Sequence, residues 1–146
     1  MWNKVSQLLG LSDSDGDTDR GLELATAALL VQVSVADDDF DAREKQVLLT
    51  ELRQHFGLSD VEAEHLMTEA VDQQADASCL YRFTRIVTSE LNQDGRQEIV
   101  RLLWRVALAD HRLENFELNA IAKISGLLGV TAEDRIRLKH EVERDA

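Results

Sequence analysis

Apolar residues recur along this chain at intervals of three and four, the spacing that lines one face of a helix, and capping residues mark where each helix should start. The pattern predicts a short amphipathic helix over about 2–11, with Trp2, Val5, Leu8 and Leu9 on one side, followed by a solvated acidic linker in "SDSDGDTD". A helix over about 19–36 carries Leu22, Ala25, Leu29 and Val33, and the next, over about 42–56, carries Val47, Leu48 and Leu52. Gly57 ends it, and Ser59-x-x-Glu62 reads as a capping box that opens a helix reaching about residue 76. Another starts near Ser78, holds Leu80, Phe83, Ile86 and Val87, and is broken by "NQDG". A long helix over about 97–109 follows, whose solvent face bears Glu98, Arg101 and Arg105 at ion-pair spacing. Helices near 115–127 and 132–144 complete the chain, which gives an all-α bundle of seven to eight helices. Residues 1–18 form the amphipathic helix and linker, and residues 19–146 the helical domain.

The pattern also repeats. A shift of 73 places lays "LLVQVSVADDDFDAREKQVLL" over "LLWRVALADHRLENFELNAIA", matching Leu29, Leu30, Val33, Ala36, Asp37 and Glu44 to Leu102, Leu103, Val106, Ala109, Asp110 and Glu117. With a slip of one residue the likeness continues as "FGLSDVEAE" over "LGVTAEDRI". Each unit reads as an apolar helix, an acidic turn, a second helix, a glycine stop and a capped third helix. Two such units can pack across a pseudo-twofold axis, with both apolar helices at the centre.

Composition narrows the picture. The 146 residues suit one domain with a core that needs no metal or disulfide, and the absence of proline leaves the helices uninterrupted. The net charge of -12 repels phosphate backbones and argues against nucleic acid as a partner. The excess is local: residues 1–76 hold 17 acids and 5 bases, whereas residues 77–146 hold 11 of each. Cys79 is the single cysteine, which excludes an internal disulfide and fits a reducing cytoplasm, with the thiol expected as a small core residue. No secretory or transmembrane run is visible.

"VSVADDDFDAREKQVL" and "VALADHRLENFELNAI" resemble the two signature segments of the TerB-like family, in which an apolar helix ends in Ala-Asp and a Glu follows seven residues after that Asp. The resemblance covers about residues 20–144. It implies an all-helical fold and an acidic cluster proposed to bind metal. It also implies kinship with a tellurite-resistance protein and with the N-terminal part of a membrane-tethered co-chaperone. Many members have Gly after the Asp, where this chain has Asp38 and His111.

The acidic turn "VADDDFDAREKQ" is not an EF-hand: a loop starting at Asp37 would put Ala42 at the glycine position and Leu48 where a bidentate Glu belongs. Two readings stay open. In one, Asp41 caps a helix and Glu44 returns to the cap, as in a capping box. In the other, Asp37, Asp39, Asp41 and Glu44, with Asp110 and Glu117 in the second copy, supply oxygen ligands to a hard divalent cation, Ca2+ or similar, held weakly. Capping does not account for both glutamates, because the second copy has Glu114 at the cap position. Asp37 and Asp110 would also sit at helix C-termini, where the dipole disfavours an anion by roughly 0.3–1 kcal/mol.

Nothing else in the chain marks chemistry. His55, His65, His111 and His140 form no zinc signature and read as surface residues, and no phosphate loop or nucleophile turn is present. No catalytic or cofactor-binding residue is assigned. The expectation is a non-enzymatic interaction or sensing module with a protein partner and a cytoplasmic location, whose acidic face takes a divalent cation or a basic partner and no other cofactor. A role in a tellurite-type stress response comes with the resemblance. Two rivals are a membrane-associated adaptor using the N-terminal helix at the inner membrane, and a carboxylate-based, metal-dependent hydrolase.

Overall fold

The computed structural model describes residues 12–35, 42–73, 78–109 and 115–145. They form seven α-helices and no strand: α1 (Ser12–Val35), α2 (Ala42–Phe56), α3 (Asp60–Gln73), α4 (Ser78–Glu90), α5 (Gln93–Ala107), α6 (Asn115–Leu127) and α7 (Ala132–Asp145). The all-α bundle expected from the apolar spacing is the fold observed. The amphipathic helix expected over 2–11 lies outside the described residues.

α1 and α5 form the centre. α1 packs against α2, α3, α4, α5 and α6, and α5 against α1, α2, α6 and α7. From Ala25 to Val31 every α1 residue is buried, the mark of a helix surrounded on all sides. α5 contributes Ile99, Val100, Leu102, Leu103, Trp104, Val106 and Ala107. The outer helices turn one stripe inward, such as Leu48 and Leu52 of α2 or Leu138 and Val142 of α7.

Two helix starts differ from the sequence expectation. α1 begins at Ser12, so the acidic run read as a solvated linker is helical; with no proline and only Gly16 to interrupt it, the run extends the buried segment behind it. α5 begins at Gln93, well before residue 97, because Asn92 caps it: its side-chain oxygen accepts from the Gly95 N–H at 3.0 Å. "NQDG" is therefore a helix start as much as a break.

Both predicted glycine stops hold. Gly57 and Gly129 adopt φ of 67° and 76°, the left-handed region that penalises any side chain. Each closes a Schellman turn, with Leu58 N–H donating to Arg53 O at 3.0 Å and Val130 N–H to Ser125 O at 2.9 Å. A capped helix follows each stop. Ser59 N–H donates to Glu62 Oε1 (3.0 Å) while Glu62 N–H donates to Ser59 Oγ (3.2 Å), the predicted capping box. At the corresponding place Asp134 N–H donates to Thr131 Oγ1 at 3.1 Å.

Candidate functional site

The two acidic turns lie where α1 hands over to α2 and α5 to α6. Asp37, Asp39, Asp41 and Asp110 fall outside the described residues, as does His111. The backbone places the repeated glutamates alike: Glu44 is the third residue of α2 and Glu117 the third of α6. That position lies inside the positive end of the helix dipole, which favours a carboxylate. The Glu44 side chain is not among those described. Glu117 is buried, 3% exposed, on the stripe that carries Ile121, Ile124 and Ser125. A carboxylate so far from water must have its charge compensated, which distinguishes Glu117 from a solvated acid. Among the described residues no group of three or more His, Cys, Asp or Glu is arranged around a common point.

A second feature was not visible as a site in the sequence. A surface groove of about 240 Å³ runs between α1 and α3. It is lined by the apolar Leu58, Val61 and Leu66 and by the polar Glu23, Glu62, His65 and Glu69. Val61, His65 and Glu69 follow one another at four-residue spacing, which puts them on one face of α3. Glu62 had been legible only as a cap. The one signal in the sequence was Val61, an apolar residue in a polar first turn, and it is 65% exposed.

Charged side chains also tie the helices together. Arg105 of α5 reaches Glu51 of α2 at 3.2 Å and Glu98 at 3.8 Å. Arg101 bonds Glu98 at 2.8 Å and Glu141 of α7 at 3.1 Å, and Arg137 bonds Glu141 at 2.9 Å and Asp134 at 3.3 Å. The trio expected on an open solvent face of α5 is thus half-buried and bridges to α2 and α7. Near one end of this chain His55 stands edge-on to Phe56, centroids 4.7 Å apart. Burial pushes the His55 pKa below its ordinary value and Arg105 adds to this, outweighing Glu98 and Glu51, which pull it up. These contacts account for the charges as fold-stabilising groups; they assemble no nucleophile and base.

The model of the family described as tellurite resistance protein TerB matches residues 23–140. The chain belongs to the TerB family. No curated protein matches it. The chain is also similar in fold to the crystal structure of a protein of unknown function from Porphyromonas gingivalis W83. The two are 17% identical, with a TM-score of 0.62 over 85% of this chain and 95% of that one. At that identity the likeness concerns the fold alone. The TerB match takes in both acidic turns, Glu44 and Glu117, and the whole groove from Glu23 to Glu69. No helix among the described residues of this TerB-family chain is long and apolar enough to cross a membrane.

Proposed function

We propose that this TerB-family protein is a non-enzymatic binding module whose acidic turns hold a hard divalent cation, Ca2+ or one of similar hardness, in a stress response of the tellurite type. The burial of Glu117 carries this reading. A carboxylate in the first turn of α6, seven residues after Asp110 in the sequence, is an oxygen donor of the kind a hard cation takes, alongside the contacts Glu117 already makes. Glu44 stands at the same helical position after the Asp37, Asp39 and Asp41 turn, which has more carboxylates and is the stronger of the two candidates. Carboxylate oxygens suit Ca2+ chemistry.

Thermal melts in chelator and in millimolar Ca2+ test this. A cation that binds only the folded state raises stability by about 2.7 kcal/mol at a hundred times its Kd. The wild-type protein is expected to gain several degrees, Asp37→Asn/Glu44→Gln to lose most of that gain, and Glu117→Gln a smaller share. Equal gains in all three proteins would rule out the acidic turns as the site.

A further inference from the structure

We propose that the groove between α1 and α3 is the seat of the chain's own N-terminal segment, residues 1–11, and that Trp2 is the side chain that fills it. This goes beyond the cation reading and stands without it.

The groove leaves an apolar surface uncovered. Val61 is 65% exposed, the most open large apolar side chain among the described residues, and it shares the groove with Leu58 and Leu66. The α1 wall is open at the same place: Gly21 to Leu24 are half-buried, whereas Ala25 to Val31 are enclosed on all sides. Glu23, Glu62 and Glu69, the carboxylates of the lining, are engaged in interactions of their own, so charge does not select the occupant. What suits such a surface is a segment that is apolar and nearly uncharged. Residues 1–11, "MWNKVSQLLGL", have that character: Trp2, Val5, Leu8 and Leu9 recur at three- and four-residue spacing, and Lys4 is the one charged side chain.

Chain length decides which residue reaches it. Ser12, the first residue of α1, stands eleven residues before Glu23, about 16 Å along the helix axis at about 1.5 Å per residue. Leu9 is three residues from Ser12, a span of at most about 10 Å when fully extended, too short to return to the groove. Trp2 is ten residues from Ser12, about 15 Å as a helix folded back along α1 in an αα-hairpin and up to about 33 Å extended. Trp2 therefore comes level with Glu23 when the segment turns back, and it brings the segment's largest apolar side chain to the most exposed valine. A tether this short also holds the segment at an effective concentration on the order of millimolar, which favours it over a separate partner of similar affinity.

The test uses the full chain labelled with fluorotryptophan, whose two tryptophans, Trp2 and Trp104, give two fluorine signals assigned with Trp2→Phe. In the wild-type protein the Trp2 signal is expected away from that of a synthetic peptide of residues 1–11, and Val61→Asp should return it to the peptide's position. Val61 is exposed, and an aspartate in a first helical turn is tolerated. Trp104, 1% exposed in α5, is the internal control: its signal should stay in place, which shows that the variant is folded. Trp2→Ala should in turn shift the backbone amide signals of residues 21–24 and 58–69 and leave those of α7 unchanged. The proposal is overturned if the wild-type Trp2 signal coincides with the free peptide's, which leaves the groove open to a separate partner, or if Val61→Asp does not move it, which puts the seat elsewhere. It is equally overturned if the displaced signal appears only at concentrations where sedimentation shows a dimer, since a second copy then supplies the segment.

Discussion

Arg101 Nε donates to Glu141 Oε2 at 3.1 Å, an ion pair between residues 40 positions apart that fastens α7 to α5. Each partner is shared: Arg101 also holds Glu98, and Glu141 also receives Arg137. The bond from Arg101 is the main cause of a Glu141 pKa below the usual carboxylate range; partial desolvation opposes it and Arg137 reinforces it. A carboxylate with a depressed folded pKa stabilises the protein above its unfolded pKa, and that contribution is lost as the pH falls through the folded value. Glu141→Gln is therefore expected to lower Tm at neutral pH, with the difference from wild type closing under acid conditions. Melts of both proteins between neutral pH and about pH 3, below the ordinary carboxylate range, check this.

His55 gives the opposite case of a base that the fold prefers neutral. Its pKa is depressed mainly by burial, so the unfolded chain binds the proton more readily. Stability from this group is complete above the ordinary imidazole value of 6.5 and declines as the pH falls below it towards the folded value. His55→Gln should flatten the stability profile in that window while leaving neutral-pH stability nearly unchanged. Urea unfolding at about pH 7.5 and pH 5.5, on either side of the ordinary His pKa, measures the effect.

Thr26 is fully buried in α1, and its hydroxyl finds no hydrogen-bond partner among the described residues. Valine has nearly the same shape without the desolvated oxygen. Thr26→Val should raise stability by about 1 kcal/mol, seen as a higher urea midpoint with an unchanged slope.

Gly57 and Gly129 stop α2 and α6 in the left-handed region. A Cβ at Gly57 would meet nothing within 4 Å, and one at Gly129 would make only ordinary contact with Arg96 Nη1 at 3.6 Å. The cost of alanine at either position is thus backbone strain alone, about 1 kcal/mol. Similar losses at both sites, read by urea unfolding, are the expected outcome; a much larger loss at Gly129 would point to a clash the geometry does not show.

These stops show why so much of the fold was legible in the sequence. Glycine after a periodic run, followed by Ser59-x-x-Glu62 or Thr131-x-x-Asp134, is a local code whose meaning depends on backbone geometry a few residues either way. The apolar stripes of α2 and α4 are equally local. What escaped was set by distant contacts or by competing local signals. "SDSDGDTD" has turn-forming residues, yet it is carried into α1 by a helix whose core packs against five others. Arg101 and Arg105 had the spacing for pairs within α5, but their partners Glu141 and Glu51 come from other helices, which no periodicity within one segment announces. The candidate site divides in the same way. Glu44 and Glu117 were matched by the internal repeat, whereas the burial of Glu117 and the meeting of Glu23 with Val61 and Glu69 exist only once α1 and α3 are packed.

Trp104 provides the sharpest test of that packing. It is 1% exposed at the heart of α5, and its indole Nε1–H donates to Arg135 O of α7 at 3.1 Å. A buried indole needs such a partner, and here the partner is the backbone of the last helix. Trp104→Phe keeps an aromatic ring but removes the bond and part of the volume. The expected cost is about 2 kcal/mol, roughly one from the lost hydrogen bond and one from the void. Because Arg101–Glu141 remains, α7 should stay docked but open more often than the rest of the bundle. Native-state hydrogen exchange distinguishes this from a uniform loss: α7 amides should lose protection before those of α1, which is surrounded on all sides. Equal loss of protection across both helices would mean that Trp104 supports the whole core and not chiefly the α5–α7 contact.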